Sequence, residues 1–600
     1  MCWKYSTITL FRREAYFNTY NLITIQNERT INMDNNWVEN TLAKMTLEEK
    51  VGQILIVGFW DFTDQENLIE RVKDYKLGGV FHFAESYKTV VSFVEKIQPD
   101  MKIPLFISSD YEAGTGFYIK EGTSFPRPMA RGYFGTEESE YEIGKMIAQQ
   151  GKAIGANYTF SPVVDVNVNP MCPDVNIRAY CDETDAVCEL SRGYIRGIQD
   201  QGMIATAKHF PGNGGTFMDQ HISPAIIDYS REDYERIFLK PFKEAIAADV
   251  GAIMVAHLEV PCLTTERHPK IGRCVPVSMS KEVITDLLKK EMGFKGIVMC
   301  DALDMGGVMG MYNRDEANIK ALQAGTDLLL NFFPLDFERD YESIYRNVEK
   351  GVISMERLDD AVRTILRAKS KIGLDKGNYE PLPEPERQKL FVPGGNDGYC
   401  QDIAKKALTL VRNIDNVLPI KDVEGKKVTV FSIFGPENRV LEGQGQYPTQ
   451  EIASVRLAER GAIVDHVEVV SDWPFGEFRG IYERCKESDY VFVNFYIIPS
   501  FAIGTLIPNV NAVRLFYLGI LSQAKNVVIT SFGDPWVMIY FQTACTYLCT
   551  FDQTINSQEV AIKAWFGEVP ITGKMPVSLK NIFERGDGID LPARVDGEES

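Results

Sequence analysis

The stretch from Lys208 to His221, KHFPGNGGTFMDQH, places two of the chain's six histidines, a lysine and an aspartate within fourteen residues around a glycine-rich loop. In extended backbone, residues i and i+2 project to the same side. Asp219 can therefore bond one ring nitrogen of His221 and leave the other facing a ligand, which orients the imidazole and raises its pKa for proton transfer. Gly212, Gly214 and Gly215 make the intervening loop permissive enough to swing toward a substrate and away from it. An ordinary turn is the alternative, but a purely structural loop has little use for an aspartate and a histidine held one residue apart.

Other chemistry-bearing residues close apolar runs. Asp301 follows Gly296 to Met299 and can act as a nucleophile on an electrophilic carbon or cap the next helix, a role for which Asp304 competes. Asp110 is either an acceptor for ligand hydroxyls or a buried partner for Arg127 or Arg131. Arg178, Lys208 and His209 either donate hydrogen bonds to hydroxyls or balance the site's carboxylates. His82 and His257 read as core or rim histidines.

The elements that must position these residues repeat along the chain. Short apolar runs occur at 52–59, 78–83, 104–110, 158–166, 204–210, 252–258, 296–302 and 326–333, with amphipathic helical segments between them. Eight alternations of strand and helix predict a (β/α)8 TIM-type barrel, in which catalytic residues sit where strands end and loops begin. Six strand ends would then converge, carrying His82, Asp110 with Glu112, Asp165, Lys208 with His209, His257 and Asp301. Thr46-Leu47-Glu48-Glu49 reads as a capping box ahead of the first strand. A proline- and glycine-rich connector at 376–399 separates the barrel, residues 34–375, from a smaller α/β sandwich over 400–600, with strands in KVTVFSIFG, YVFVNFYI, NVVITSFGD and TYLCTFD. That domain shows no phosphate-binding glycine fingerprint.

The 600 residues exceed one ordinary core, which also favours two domains. A net charge of −19 without a basic stripe argues against nucleic acid as a partner, and no apolar run reaches the length of a membrane span. The eleven cysteines lack the spacing of a zinc site and read mostly as reduced and buried, with a disulfide among a few of them left open. We expect neither metal nor cofactor, and the sequence assigns no oligomeric state. Residues 1–33 carry charges throughout and lack the apolar core of a secretory signal, so a disordered tail and a cytoplasmic protein are expected, with Met33 an alternative start.

MTLEEKVGQ (45–53), AKHFPGNG (207–214), DQH (219–221), GFKGIVMCDALDMGGV (293–308), RLDDAVRTILRAKSKIGL (357–374) and FGEVPITGKMPVSL (566–579) resemble the signatures of glycoside hydrolase family 3, in particular its β-N-acetylglucosaminidase branch. The resemblance covers nearly the whole chain after Met33. It implies a carbohydrate substrate and a retaining double displacement, with Asp301 as nucleophile, His221 as acid/base and Asp219 as its partner. Most retaining glycosidases instead use a second carboxylate about 5–5.5 Å away. Asp110, Arg178, Lys208 and His209 are implied as sugar contacts. The expected activity is an exo-acting β-N-acetylhexosaminidase on cell-wall fragments or glycoconjugates. The alternatives are a phosphorylase or β-glucosidase of the same family, or a non-catalytic sugar-binding protein. The chain departs from the family pattern at Asn213, where histidine is usual, at Gln220, where serine or threonine is usual, and in DYEAG (110–114) and RAYC (178–181).

Overall fold

The computed structural model describes residues 36–60, 63–83, 86–331, 336–435, 452–499 and 506–594. The expected tail over 1–33 lies outside the described residues, as do Phe332 and Phe333 at the end of the eighth expected strand.

The first strands are β1 (Leu55–Phe59), β2 (Gly79–His82), β3 (Phe106–Ser109), β4 (Tyr158–Thr159) and β5 (Thr206–Phe210). After β6 (Ala225–Ile226) come β7 (Ala252–Val255), β8 (Leu258–Glu259), β9 (Ile297–Cys300) and β10 (Leu329–Asn331). Parallel pairing gives two arcs, β10-β1-β2-β3-β4 and β5-β7-β9. Parallel bridges Tyr158–Ile204 and Met299–Leu328 join the arcs into a closed eight-stranded ring. β6 and β8 pair with each other outside the ring. The expected barrel is therefore present, and all eight apolar runs supply a strand.

The strands read as unbroken apolar runs because both faces are covered, the inner by side chains filling the barrel and the outer by helices. All five residues of β1 are buried. Helices such as Tyr87–Ile97, Glu137–Ala153 and Thr184–Gln199 turn an apolar stripe onto the ring. The capping box forms as expected: Thr46 Oγ1 accepts from Glu49 N at 3.3 Å, and Glu49 Oε2 accepts from Thr46 N at 3.0 Å. The fourth strand is much shorter than the run 158–166. Pro162 has no N–H for a ladder, and beyond Thr159 the pairing continues as scattered backbone bonds, such as Phe160 N to the Ser109 carbonyl at 3.1 Å and Val164 N to the Lys208 carbonyl at 2.8 Å.

The C-terminal part is a six-stranded sheet comprising β11 (Thr409–Asn413), β12 (Lys427–Phe434), β13 (Ile463–Val469), β14 (Tyr490–Tyr496), β15 (Val527–Ser531) and β16 (Thr546–Cys549). Its order is β11-β16-β15-β14-β12-β13, and only β11 runs antiparallel to its neighbour. The two edge strands, β11 and β13, were not among the expected ones. IVDHVEV is interrupted by Asp465, His466 and Glu468, and only Val467 and Val469 are buried, the pattern of an edge rather than of a buried run. The connector is not free chain: it holds a helix, Glu384–Leu390, whose Leu390 carbonyl accepts from Gln150 Nε2 at 2.7 Å, and Phe391 stacks on Tyr87.

Barrel and sandwich share one continuous apolar core that includes Val164 and Ile177 on one side and Val493, Trp536 and Met575 on the other. Polar contacts fix their mutual position: Asp552 Oδ1 accepts from Arg127 N at 3.3 Å, Asp182 Oδ2 accepts from Ser578 N at 2.8 Å, and Arg585 Nη2 donates to the Gly132 carbonyl at 3.0 Å. Among the described residues, the ten cysteines are all free, and no helix is long and apolar enough to cross a membrane.

Candidate active site

The polar residues at the carboxyl ends of the barrel strands meet in one place. On β5 the ladder to β7 is irregular between Ala207 and Phe210, and both Lys208 and His209 are buried. Lys208 Nζ lies 2.5 Å from Asp110 Oδ1 and 2.7 Å from Glu112 Oε1. Arg178 forks onto the same glutamate, donating Nε to Oε2 at 3.0 Å and Nη2 to Oε1 at 2.8 Å. His209 Nδ1 is 2.7 Å from Asp165 Oδ2, and its Nε2 faces Arg178 Nη2 at 3.3 Å. These six side chains form a wall of interlocked opposite charges. Asp110 remains the most open of its carboxylates, with a side chain 24% exposed beside Glu112 at 4%.

Electrostatics separates the two acids. Burial opposes ionisation of Glu112, but the charges of Arg178 and Lys208 outweigh it and hold the carboxyl well below its usual value. The Asp110 carboxyl is pushed up by burial and by the Glu112 charge, only partly countered by Lys208. Glu112 is thus a fixed anion that anchors the two cations, while Asp110 is the acid that faces open space. The alternative partners for Asp110 are engaged elsewhere: Arg131 pairs with Glu140 at 2.7 Å, and the Arg127 guanidinium lies over Phe117.

On the next loop, Asp219 Oδ1 accepts from both the backbone N and Nδ1 of His221, each at 2.8 Å, as the i, i+2 spacing predicts. The loop is stapled rather than loose. The His221 and Gln220 carbonyls accept from Gly306 N and Gly307 N at 2.8 Å, and Asn169 N donates to the Gly214 carbonyl at 3.1 Å. Its glycines permit close approach more than swing. A Cβ on Gly214 would sit 1.8 Å from the Val166 carbonyl oxygen, and Gly212 has φ +119 with Phe238 against it.

Asp301 follows β9, and its oxygens are held by neutral amides: Oδ1 by Ala302 N at 2.8 Å and Oδ2 by Gln220 Nε2 at 3.4 Å. Neither Asp301 nor Asp304 caps the following helix, Gly306–Met309, whose first turn has no side-chain cap. Asp304 therefore does not take the capping role expected of it. His82 is fully buried with Nε2 2.7 Å from the Tyr111 hydroxyl, and His257 is spent on Ser278 Oγ at 2.8 Å and the Ala302 carbonyl at 2.9 Å. Both are structural histidines, as expected.

Sequence reasoning overlooked Asp174. Its carboxylate is buried 3.8 Å from His221 Nδ1, accepts from Arg178 Nη1 at 2.8 Å, and receives the amides of Asn213 at 2.5 Å and Gln220 at 3.0 Å. The two positions where the chain departs from the family pattern, Asn213 and Gln220, thus share one carboxylate oxygen. A signal was present in the four-residue spacing from Asp174 to Arg178, but nothing local connects it to His221. Burial works against charge on both partners, yet mutual attraction wins. The His221 imidazole is raised to about 9 by Asp174, by the Asp219 bond and by the charges of Asp219 and Asp301; Asp174 is lowered to about 2 by His221 and Arg178.

Asp174, Asp219 and His221 also bring ligand-type atoms within 4.8 Å of one another. With Nδ1 bonded to Asp219 and Asp174 bonded to an arginine and two amides, the set is arranged to hold a proton rather than a metal. What remains is an imidazole raised by its carboxylate partners and a carboxylate, Asp301, that carries no ion pair among the described residues, the parts from which an acid and a nucleophile can be built.

Comparison with known proteins agrees with this arrangement. The model of the glycosyl hydrolase family 3 N-terminal domain matches residues 46–368. The chain is 26% identical over 550 residues to a beta-N-acetylglucosaminidase/beta-glucosidase of Cellulomonas fimi, covering 90% of this chain and 95% of that one. It is 29% identical over 383 residues to beta-hexosaminidase A of Pseudoalteromonas piscicida, covering 59% and 62%. Among solved structures, a family 3 beta-N-acetylglucosaminidase from Paenibacillus sp. str. FPU-7 superposes with a TM-score of 0.73 at 26% identity, over 89% of this chain and 99% of that one. A beta-glucoside phosphorylase shares the fold with a TM-score of 0.81 at 24% identity, over 91% and 96%. With the match spanning the barrel and the site just described, the chain belongs to glycosyl hydrolase family 3.

Proposed function

We propose that the chain is an exo-acting, retaining β-N-acetylhexosaminidase that releases terminal β-N-acetylglucosamine. The observation that carries this reading is the pairing of a carboxylate-held imidazole, His221 on Asp219, with the amide-held carboxylate Asp301. Asp301 attacks the anomeric carbon while the bond to the leaving oxygen breaks and the His221 proton passes to that oxygen, leaving a glycosyl ester on Asp301. Water then attacks the same carbon, its proton goes to His221, and Asp301 is released. Asp301 is one of the charges that raise His221. Ester formation removes that charge and lowers the imidazole pKa when a base is needed. Lys208, His209, Arg178 and Asp110 bind the sugar's hydroxyls, with Asp110 the most accessible acceptor among the carboxylates of that wall.

The acetamido preference is supported by the relatives' activities and by the use of a histidine acid. A panel of aryl β-glycosides differing only in the 2-substituent tests it. Turnover of the N-acetylglucosaminide well above the glucoside is expected, and the reverse order overturns the reading. Binding of N-acetylglucosamine with no aryl glycoside cleaved would make the chain a sugar-binding protein.

One observation favours phosphorolysis as a second reading: the acid/base is an imidazole, which does not repel an incoming phosphate as a carboxylate would. Sugar 1-phosphate as the main product in phosphate buffer, with turnover raised several-fold over phosphate-free buffer, would establish it.

A further inference from the structure

Gln220 stands in the chain between the two residues of the proton-transfer pair, Asp219 and His221, and is fully buried. Three hydrogen bonds orient its side chain. Oε1 accepts from His257 N at 2.8 Å, while Nε2 donates to Asp174 Oδ2 at 3.0 Å and to Asp301 Oδ2 at 3.4 Å. These neighbours leave the amide one orientation: a backbone N–H on one side requires the oxygen there, and two carboxylate oxygens on the other require the NH2 group. The N–H that sets this orientation is itself fixed, because the His257 ring is bonded at both nitrogens, to Ser278 Oγ and to the Ala302 carbonyl.

Asp301 has no cation to hold it. Its Oδ1 accepts from Ala302 N at 2.8 Å, and among the described residues the one side chain that donates to it is Gln220. A carboxylate with a single donor is free to turn about its terminal torsion, which is broad. A second donor on the other oxygen fixes the plane of the group, and attack on a carbon needs that plane held. The Gln220 NH2 group also stands between two like charges, Asp174 and Asp301, and a donor shared by both offsets their repulsion.

We propose that Gln220 is a positioning residue for the nucleophile. It fixes the Asp301 carboxylate, and Asp174, through the same NH2 group, keeps the amide turned toward it. Asp174 thus acts on both reacting groups, on His221 by charge and on Asp301 through Gln220. The serine or threonine usual in the family at this position has one O–H donor and cannot bond both carboxylates. This assignment rests on the glycosidase reading.

The test compares the nitrophenyl and methyl β-N-acetylglucosaminides on the wild-type chain, Gln220→Met and Gln220→Glu. Methionine keeps the length of the side chain and removes its donors. kcat/KM should fall about 10- to 100-fold, the loss expected for one hydrogen bond to a charged group. The fall should be equal for the two substrates, since a nucleophile serves every leaving group, and inhibition by N-acetylglucosamine should stay within about threefold. Glutamate keeps the shape, but only its protonated form can donate to Asp301. Gln220→Glu should therefore come nearest to the wild type in acid and lose activity about 10-fold or more as pH rises to about 8, whereas a residue that merely fills space would be replaced by glutamate at every pH. A loss confined to the methyl glycoside, or an alkaline limb of Gln220→Met displaced downward by about a unit or more, would tie Gln220 to His221 and overturn the proposal. Wild-type kinetics in Gln220→Met, or full activity of Gln220→Glu across the pH range, would overturn it as well. If Gln220→Met does not fold, the glutamate variant decides. Failure of the wild-type chain to cleave either glycoside would instead overturn the glycosidase reading.

Discussion

The carboxylate of Asp174 lies 3.8 Å from His221 Nδ1, on the imidazole that Asp219 already holds at 2.8 Å. The acid/base thus has two carboxylates rather than one, and the second is itself held by Arg178, Asn213 and Gln220. Asp174 touches no reacting atom in the proposed mechanism and is a positioning residue that sets the charge on His221.

Removing the Asp174 charge should move the pH profile. With the imidazole raised to about 9, the acid form needed for glycosylation persists through neutral pH, so the alkaline limb of kcat/KM is expected near 9. Asp174→Asn should shift that limb downward toward the ordinary histidine value of about 6.5, with activity at pH 6 much less affected. An unmoved limb would remove Asp174 from this role. The sign for stability is the same: a histidine raised on folding stabilises most below about 6.5, and that contribution is lost as pH rises through about 9. Thermal unfolding of Asp174→Asn should therefore fall less between pH 7 and pH 10 than that of the wild type.

Substitutions at the reacting groups should separate by leaving group. Asp301→Asn should lower kcat at least about 10⁴-fold on every substrate while leaving N-acetylglucosamine binding measurable by calorimetry. His221→Ala should cost about 10²–10⁴-fold with poor leaving groups and much less with nitrophenyl glycosides, whose departure needs no proton. Equal losses across leaving groups would show that His221 is not the acid.

The buried pair Arg131–Glu140 provides a stability test remote from catalysis. The side chains are 2% and 0% exposed, and Glu140 also accepts from the Tyr180 hydroxyl at 2.8 Å. Arg131→Met leaves a buried carboxylate without its cation and should cost about 3–5 kcal/mol in denaturant unfolding. A loss below about 1 kcal/mol would mean that the pair is compensated elsewhere.

Gly214→Ala tests whether the acid/base loop depends on close packing. Its Cβ would meet the Val166 carbonyl oxygen at 1.8 Å and the Val166 carbonyl carbon at 2.4 Å, contacts with backbone that cannot be relieved by a rotamer change. Activity should fall by an order of magnitude or more, with a lower melting temperature. Wild-type kinetics would show that the loop can yield at this point.

The sequence by itself determined the barrel, since a buried parallel strand and an amphipathic helix each leave a periodicity in the chain, and eight alternations leave few alternatives. It also determined the Asp219–His221 bond, because two residues one position apart in extended backbone need nothing else to meet. An edge strand such as Ile463–Val469 was less legible, since Asp465, His466 and Glu468 interrupt its apolar residues and only Val467 and Val469 are buried. Tertiary structure alone decided that Asp174 reaches His221, that Gln220 lies between Asp174 and Asp301, and that Glu112 rather than Asp110 anchors Arg178. Each of these joins loops distant in the chain, where the pairing is fixed by how barrel strands close into a ring. No spacing along the sequence records that geometry.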